Sequence, residues 1–394
     1  MNVVVDDQPT AADDTERDSL WTAAGAWRGV LTAVGILALT RVAQLLFIAW
    51  LANAHPTEAG LRGRLLVWDA GWFLRVAVDG YPHSYAYDAN HVVEGNGLAF
   101  FPVYPLLIRG FAALGSNPQN AALGVAWAAS IGAAVALHLL GTTLYGKRAG
   151  WALVAIVCSA PVSVVLSMAY SEALFLALVA GMFVAAHRQV WWAAGLLGLA
   201  AALTRPTGAA AALGLAVAAL LAARRDRSTG WQPLLAAAVA LAGVPLFLAW
   251  VGLRVGDWDA WFRIQSAGWG SSFDFGSSTW RFLSDTLTTA DGWVQVSVAI
   301  ILLAALAAAG VALAGKPWLP LAVYGVVAMI MVYGQGGFYH SKPRLLLPVL
   351  LTLLPAAVAA ARARPRVAVL SIVAWAAFGL WYGAYLITVW PYTL

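Results

Sequence analysis

The chain has 394 residues, of which 62% are hydrophobic and only 10% charged, and its mean hydropathy is +0.77. An ordinary soluble domain carries about a quarter charged residues, so that class is excluded. The net charge of +5 is dispersed over short connections, so no nucleic-acid partner is expected, and the single cysteine, Cys158, rules out an intrachain disulfide.

Residues Met1 to Ser19 are polar and acidic without apolar periodicity, the pattern of a disordered segment. Residues 1–26 are therefore expected to form a cytoplasmic tail, and 27–394 a single membrane domain. The first apolar run, Trp27 to Asn53, is long enough for the roughly 20 residues that cross a bilayer. It contains Arg41, which must either pair inside the bundle or line a cavity that accepts an anionic group. A long polar loop follows, 54–118. In it Trp68, Trp72, Phe73 and Val76 recur at three- and four-residue spacing, which predicts an amphipathic helix in the interface plane. Asp69 falls near the start of that helix beside Trp72 and Phe73, and Gly80-Tyr81-Pro82 ends it. Leu98 to Leu114 is apolar but holds Pro102 and Pro105. It reads as a second interfacial segment, because prolines so placed break a regular span.

Further apolar runs occupy Ala121–Tyr145, Trp151–Met168, Glu172–Ala186, Trp191–Leu203, Thr207–Ala223, Trp231–Leu253, Trp293–Ala314, Trp318–Tyr333, Leu345–Ala361 and Val367–Trp390. With the first they predict an all-α, polytopic transmembrane helical bundle of about eleven spans. The short runs require tilt or local thinning of the bilayer. If the amino terminus is cytoplasmic, Lys147-Arg148, Arg188, Arg224-Arg225-Asp226-Arg227, Lys316 and Arg362 to Arg366 are cytoplasmic connections. They are short and basic, as cytoplasmic loops are. The long loop, Tyr170-Ser171-Glu172, Thr204-Arg205-Pro206-Thr207-Gly208, Arg254 to Asp291 and Gln335 to Arg344 then all lie on the opposite, outer side.

The polar motifs that could carry chemistry thus share one face. Asp69, next to aromatic surface, could serve as a general base toward a hydroxyl within hydrogen-bond reach, or could simply be an acid favoured at a helix start. Asp79, Asp88 and Glu94 are competing acids in the same loop, and Asp79 could pair with Arg75 at i,i+4. Glu172 could cap its helix or bind substrate. Arg205, His340, Lys342 and Arg344 are cations at outer helix ends. They could anchor to lipid head groups, or they could clamp a phosphate and stabilise it as it departs. Asp257-Trp258-Asp259 spells an Asp-x-Asp pattern, which is weak alone. No paired histidine spacing suggests a metal, and no glycine-rich phosphate loop appears.

Trp68-Asp69 with Trp72-Phe73 and Gly80-Tyr81, then Ala99-Phe100-Phe101-Pro102-Val103-Tyr104-Pro105-Leu106, resemble the first luminal loop of the PIG-V family of mannosyltransferases. Ser171-Glu172-Ala173-Leu174-Phe175, Arg205-Pro206-Thr207-Gly208 and Lys342-Pro343-Arg344-Leu345-Leu346-Leu347-Pro348 resemble later motifs of that family, in its order. The resemblance implies a GT-C fold in a multi-pass cell-membrane protein with its active site on the non-cytoplasmic side. It implies polyprenyl-phosphate-mannose as donor, no cofactor and no required metal. Asp69 maps onto the family's catalytic base. Trp68, Trp72, Phe101, Tyr104, Glu172, Arg205, His340, Lys342 and Arg344 are the expected substrate-binding residues, with Glu172 and Tyr104 orienting sugar hydroxyls. The expected acceptor is a glycolipid or lipoglycan among the membrane lipids. The competing functions are a transporter or flippase of a lipid-linked sugar, a non-catalytic scaffold, and a GT-C transferase of another sugar.

Overall fold

The computed structural model describes residues 11–56, 60–225 and 230–392. In chain order the helices begin with α1 (Ala11–Ala54), α2 (Gly60–Arg64) and α3 (Asp69–Asp79). A short antiparallel hairpin pairs Ala86–Tyr87 with Val93–Glu94. Then come α4 (Val103–Ala113), α5 (Pro118–Tyr145), α6 (Lys147–Cys158), α7 (Glu172–His187), α8 (Trp191–Ala202) and α9 (Gly208–Arg225). The remainder is α10 (Gln232–Val255), α11 (Ala260–Trp269), α12 (Ser277–Thr289), α13 (Trp293–Ala314), α14 (Leu319–Tyr333), α15 (Lys342–Leu346), α16 (Leu354–Arg362) and α17 (Pro365–Thr388). The fold is the all-α polytopic bundle that the sequence predicts. Of the expected cytoplasmic tail, residues 1–10 lie outside the described residues, while the α1 backbone is helical from Ala11 onward.

Among the described residues six helices are long and apolar enough to cross a membrane: Trp27–Ala54 within α1, α5, α9, α10, α13 and α17. The expected spans at α7, α8 and α14 are unbroken but shorter. The other two expected spans are broken. In Trp151–Met168, α6 stops at Cys158 and only a 3-10 turn, Ser163–Leu166, follows. Pro161 cannot donate to a helical ladder, which accounts for the stop. In Leu345–Ala361, α15, a 3-10 turn at Leu350–Thr352, and α16 replace one helix; Pro348 lies in the first gap and Pro355 in the first turn of α16.

Broken backbone survives at membrane depth only where protein satisfies its carbonyls. Arg41 does this for the stretch after α6. Its guanidinium donates to the carbonyls of Ser163 (2.7 Å) and Cys158 and to the hydroxyls of Ser167 (3.1 Å) and Ser163 (3.3 Å). From α5, Trp127 donates to the Ser167 carbonyl and Ser130 to that of Leu166. The Tyr324 hydroxyl does the same for Pro348, at 2.9 Å. Of the two roles open to Arg41, the structure shows the pairing role inside the bundle. Elsewhere the helices approach through small side chains: a Cβ on Gly195 would come within 2.9 Å of the Ala236 Cα, and one on Gly243 within 2.6 Å of the Ala202 Cβ. Such close faces bring helices together where no hydrophobic drive exists between them.

The segments that carry Asp69, Glu172, Arg205 and Arg344 meet at one end of the bundle. α7 leaves that end at Glu172 and reaches Arg188. α8 returns, and α9 leaves again toward Arg225. α13 likewise leads away to Lys316, and α16 to Arg362.

Candidate functional site

Asp69 is the first residue of α3, whose buried face is Ala70, Phe73, Val76 and Ala77. The amphipathic helix predicted there is present. Trp68 caps it with φ of 56°, a left-handed conformation that a bulky residue adopts only when its surroundings force it. Phe73 meets Phe100 and Tyr104 edge-on, with ring centroids 5.0 and 4.9 Å apart, which fixes α3 over α4. Glu172 opens α7 at the end of the segment that Arg41 braces, and is 1% exposed. Arg205 lies in the turn between α8 and α9. That turn is tight because Gly208 rides on α8, where a Cβ would fall 2.4 Å from the Ala202 Cα. Arg344 lies in α15, set by the break at Pro348.

These four side chains, from four separate segments, form one alternating chain of charge. Arg344 Nη2 is 2.6 Å from Asp69 Oδ2, and Arg344 Nε is 3.8 Å from Glu172 Oε1. Arg205 Nη1 is 2.8 Å from the same Glu172 oxygen and donates to the Ser171 hydroxyl at 3.2 Å. Both acids begin helices, where the dipole favours them. Arg344 also lies over the Tyr170 ring, 5.2 Å from its centroid. Burial disfavours the Arg344 charge, but Asp69, Tyr170 and Glu172 outweigh it, so its pKa is raised.

The set is not saturated. Glu172 Oε2 and Arg344 Nε and Nη1 are buried without a hydrogen-bond partner. Each such group costs about 1–3 kcal/mol when left unmade, so a ligand that completed them would be favoured. A cleft opens onto the set. Asp69, Arg205, Arg344, Lys342, Ser171 and Thr207 form its polar wall, and Phe100, Phe101, Phe338 and Trp269 its aromatic one.

The other expected site residues divide. Phe101 lines the cleft. Lys342 lines it too, but its ammonium donates to the carbonyls of Val332 (2.7 Å) and Gln335 at the end of α14. Burial lowers its pKa to about 8, against the opposing pull of Asp274. Tyr104 is fully buried and its hydroxyl donates to the Ala122 carbonyl at 2.9 Å, so it is not aimed at a ligand. Trp72 stacks on Phe100 behind the cleft surface, Trp68 packs into the core, and His340 lies against the rings of Phe338 and Tyr339. Arg75 stacks over Trp72 at 4.7 Å rather than pairing with Asp79. Asp257 and Asp259 both face Arg263, and Asp257 accepts from the Tyr85 hydroxyl. Among the described residues no group of three or more His, Cys, Asp or Glu side chains is placed to hold a metal ion.

The sequence reading missed the far wall of the cleft. Gln265, Trp269 and Ser271 line it, carried by α11 and the turn after it. Trp269 meets Trp72 and Phe100 at centroid distances of 5.8 and 5.3 Å, and Gln265 donates to the Ala99 carbonyl. The backbones of Gly95 and Gly268 touch, so that a Cβ on either would fall within 2.7 Å of the other's Cα. Trp261, Ile264, Gln265, Gly268 and Trp269 have the same three- and four-residue spacing that marked α3, and that signal could have found them.

Fold and site together define a polytopic helical membrane protein with an ion-paired cleft at one end of its bundle. No family model matches the chain. It is similar to GPI alpha-1,6-mannosyltransferase 2 of Mus musculus, 38% identical over 167 residues that make up 40% of this chain and 32% of that one. It is similar to the Rattus norvegicus protein of that name, 36% identical over 159 residues, or 38% and 30% of the two chains. The Cricetulus griseus protein is 35% identical over 160 residues, again 38% and 30%. The match therefore spans about a third of the length of these relatives, and within that stretch the resemblance to PIG-V mannosyltransferases read from the motifs holds.

Proposed function

We propose that the cleft is the active site of a mannosyltransferase that moves mannose from polyprenyl-phosphate-mannose to a hydroxyl of a glycolipid or lipoglycan, with inversion. The observation that carries this reading is the meeting of Asp69, Arg205 and Arg344 on one cleft, with Glu172 buried behind them and paired to both arginines, in a chain similar to mannosyltransferases. In the transfer, an acceptor oxygen forms a bond to the anomeric carbon as the bond to the phosphate oxygen breaks. The acceptor proton goes to Asp69, whose Oδ2 is held by Arg344; Oδ1 is the accepting atom. As Asp69 takes up the proton it loses charge and its hold on Arg344 weakens. Arg344 Nη1, buried and unpartnered, then serves the departing phosphate together with Arg205. Preorganised cations at the site of developing charge supply the largest share of such rate enhancements. Glu172 keeps the two guanidiniums in place and offers its free oxygen to a sugar hydroxyl. Trp269 and Phe101 give the sugar ring an apolar face. Lys342 acts at one remove, by holding the α14–α15 turn.

The outer-face assignment is supported by Arg188, Arg225, Lys316 and Arg362, all at the far ends of helices that start at the cleft end, since short basic loops stay cytoplasmic. A transporter would bind near mid-membrane at the interface of internal repeats, and no repeat is evident in the sequence. Arg41, the cation that could have lined a cavity within the first span, is engaged by backbone carbonyls. The test supplies membranes carrying the protein with labelled polyprenyl-phosphate-mannose and a lipid extract. The expected result is a labelled glycolipid with the wild type, reduced about 10²–10⁴-fold in Asp69→Asn, the contribution of a general base. Equal labelling by a normally folded Asp69→Asn would remove Asp69 as the base.

A further inference from the structure

A second cavity, of about 280 Å³, lies at the other end of α3, ten residues and hence roughly 15 Å of helix from Asp69. It is bounded by the carboxyl end of α3, by α4 and by the last turns of α10. Arg109, Arg254, Asp79 and His83 line it, with Trp250 and Tyr81 as its aromatic side. α10 is one of the six long apolar helices, so Arg254 in its last turn marks the depth at which a span leaves the hydrocarbon, where aromatic and basic anchors gather.

Each guanidinium is fixed along one edge. Arg254 donates from Nε to the Pro82 carbonyl and from Nη2 to that of Tyr81, both at 2.7 Å, and lies 5.0 Å from the Trp250 ring centroid. Arg109 donates from Nε to the Ala77 carbonyl at 2.7 Å and from Nη2 to those of Val76 and Val78, both at 3.4 Å. Among the described residues nothing hydrogen-bonds to Nη1 of either arginine. Arg109 thus caps α3 and Arg254 holds the turn after it, and the bonds fix two cations in an open cavity. Asp79 shares that cavity, yet among the described residues it forms no ion pair within 4.0 Å with either arginine. Opposite charges that line one cavity without neutralising each other match a ligand that carries both charges itself, a few bonds apart.

The apolar surroundings indicate how such a ligand arrives. Leu106, on the cavity wall, is 57% exposed. Leu246, Trp250 and Leu253 fall on one face of α10 at helical spacing, and both leucines are exposed. A chain lying along these leucines would enter hydrocarbon.

We propose that this cavity binds the head group of a zwitterionic, ethanolamine-type phospholipid. Its phosphate sits between Arg109 and Arg254, its ammonium faces Asp79, and its acyl chains lie along the exposed leucines of α4 and α10. The site is separate from the cleft and does not depend on the chemistry proposed there.

The test uses the full-length protein in mild detergent with phosphatidylethanolamine, phosphatidylglycerol or phosphatidylcholine, and native mass spectrometry counts the lipid retained. The wild type should retain phosphatidylethanolamine about tenfold over the other two, the size of one charged hydrogen bond. Asp79→Asn, an exposed and conservative change, should shift the preference to phosphatidylglycerol, because the phosphate sites remain and the ammonium site is gone. Arg109→Gln with Arg254→Gln should retain none of the three, whereas Arg281→Gln, elsewhere on the surface, should behave as wild type. Equal retention of the three lipids, or an unchanged preference in a folded Asp79→Asn, would overturn the proposal. Displacement of the lipid by an equal concentration of soluble glycerophosphoethanolamine would overturn the membrane lipid as the source of the head group.

Discussion

Arg41 and Arg344 are both arginines buried in an apolar bundle, and they are satisfied in opposite ways. Arg41 donates to neutral backbone carbonyls and serine hydroxyls, in a closed pocket between α1 and the broken end of α6. Arg344 faces two carboxylates, keeps buried nitrogens without partners, and borders an open cleft. A cation spread over carbonyls holds broken backbone together, and the one Arg41 nitrogen without a partner, Nε, has no opening beside it. A cation paired with acids, with donors left over and solvent access, is arranged to exchange partners. The criterion that separates brace from site is therefore the unfilled hydrogen-bonding capacity beside an opening, rather than burial or charge.

The sharpest test of that comparison replaces Arg344 by Gln. The proposed role predicts a loss of transfer of about 10²–10³-fold, the cost of removing one donor at a developing anion. The thermal midpoint should move little, because Arg205 still pairs with Glu172 and Asp69 is partly exposed. A large drop in midpoint with turnover per folded molecule unchanged would make Arg344 a brace like Arg41. For Arg41→Gln the expectation is reversed. Carbonyls of Cys158 and Ser163 would lose their donor, at roughly 1–3 kcal/mol for each orphaned group. Unfolding in detergent should come several degrees lower, while the protein that remains folded transfers normally. Normal stability with lost transfer would join Arg41 to the site.

Glu172→Gln should have an intermediate effect. The amide keeps the shape but removes the charge that holds Arg205 and Arg344 together. An increase in donor KM of about tenfold, with a smaller change in kcat, is the expected pattern for lost positioning of the phosphate-binding pair. An unchanged KM would place the carboxylate outside substrate binding.

The comparison also explains what the sequence could and could not reveal. The α3 helix was legible because its apolar spacing is local, and Asp69 came with it. That Glu172, Arg205 and Arg344 lie on the side of Asp69 followed from the alternation of apolar runs and basic connections. The breaks after Cys158 and around Pro348 were not read, although the prolines are visible. Hydropathy sees only composition, and what sustains each break is a distant residue, Arg41 for one and Tyr324 for the other. For the same reason Lys342 and Tyr104 were expected at the substrate but are engaged by the Val332 and Ala122 carbonyls. Partner choice is a tertiary property. Trp269 and Gln265 sit in a segment whose conspicuous sequence feature is the Asp257 and Asp259 pair, and those charges are met by Arg263, while the place of Trp269 against Trp72 and Phe100 is set only by the tertiary fold.

Lys342 supplies the smallest expected effect and a control between the two kinds of buried cation. It resembles Arg41 in donating to carbonyls, but it can lose its charge. Burial lowers its pKa from 10.5 to about 8 in the folded chain, so between those values the unfolded chain binds more protons than the folded one. Stability must then rise with pH across that window. Below about pH 8 the penalty for burying the ammonium is carried in full, and it is gone above the unfolded value. The quantity to measure is the midpoint at pH 9.5 minus that at pH 7.5, in wild type and in Lys342→Met. The wild-type difference should be the more positive by a degree or two. If the two differences coincide, the ammonium is stabilised in place by the Val332 and Gln335 carbonyls as fully as water would stabilise it, and Lys342 belongs with Arg41 as a permanent brace.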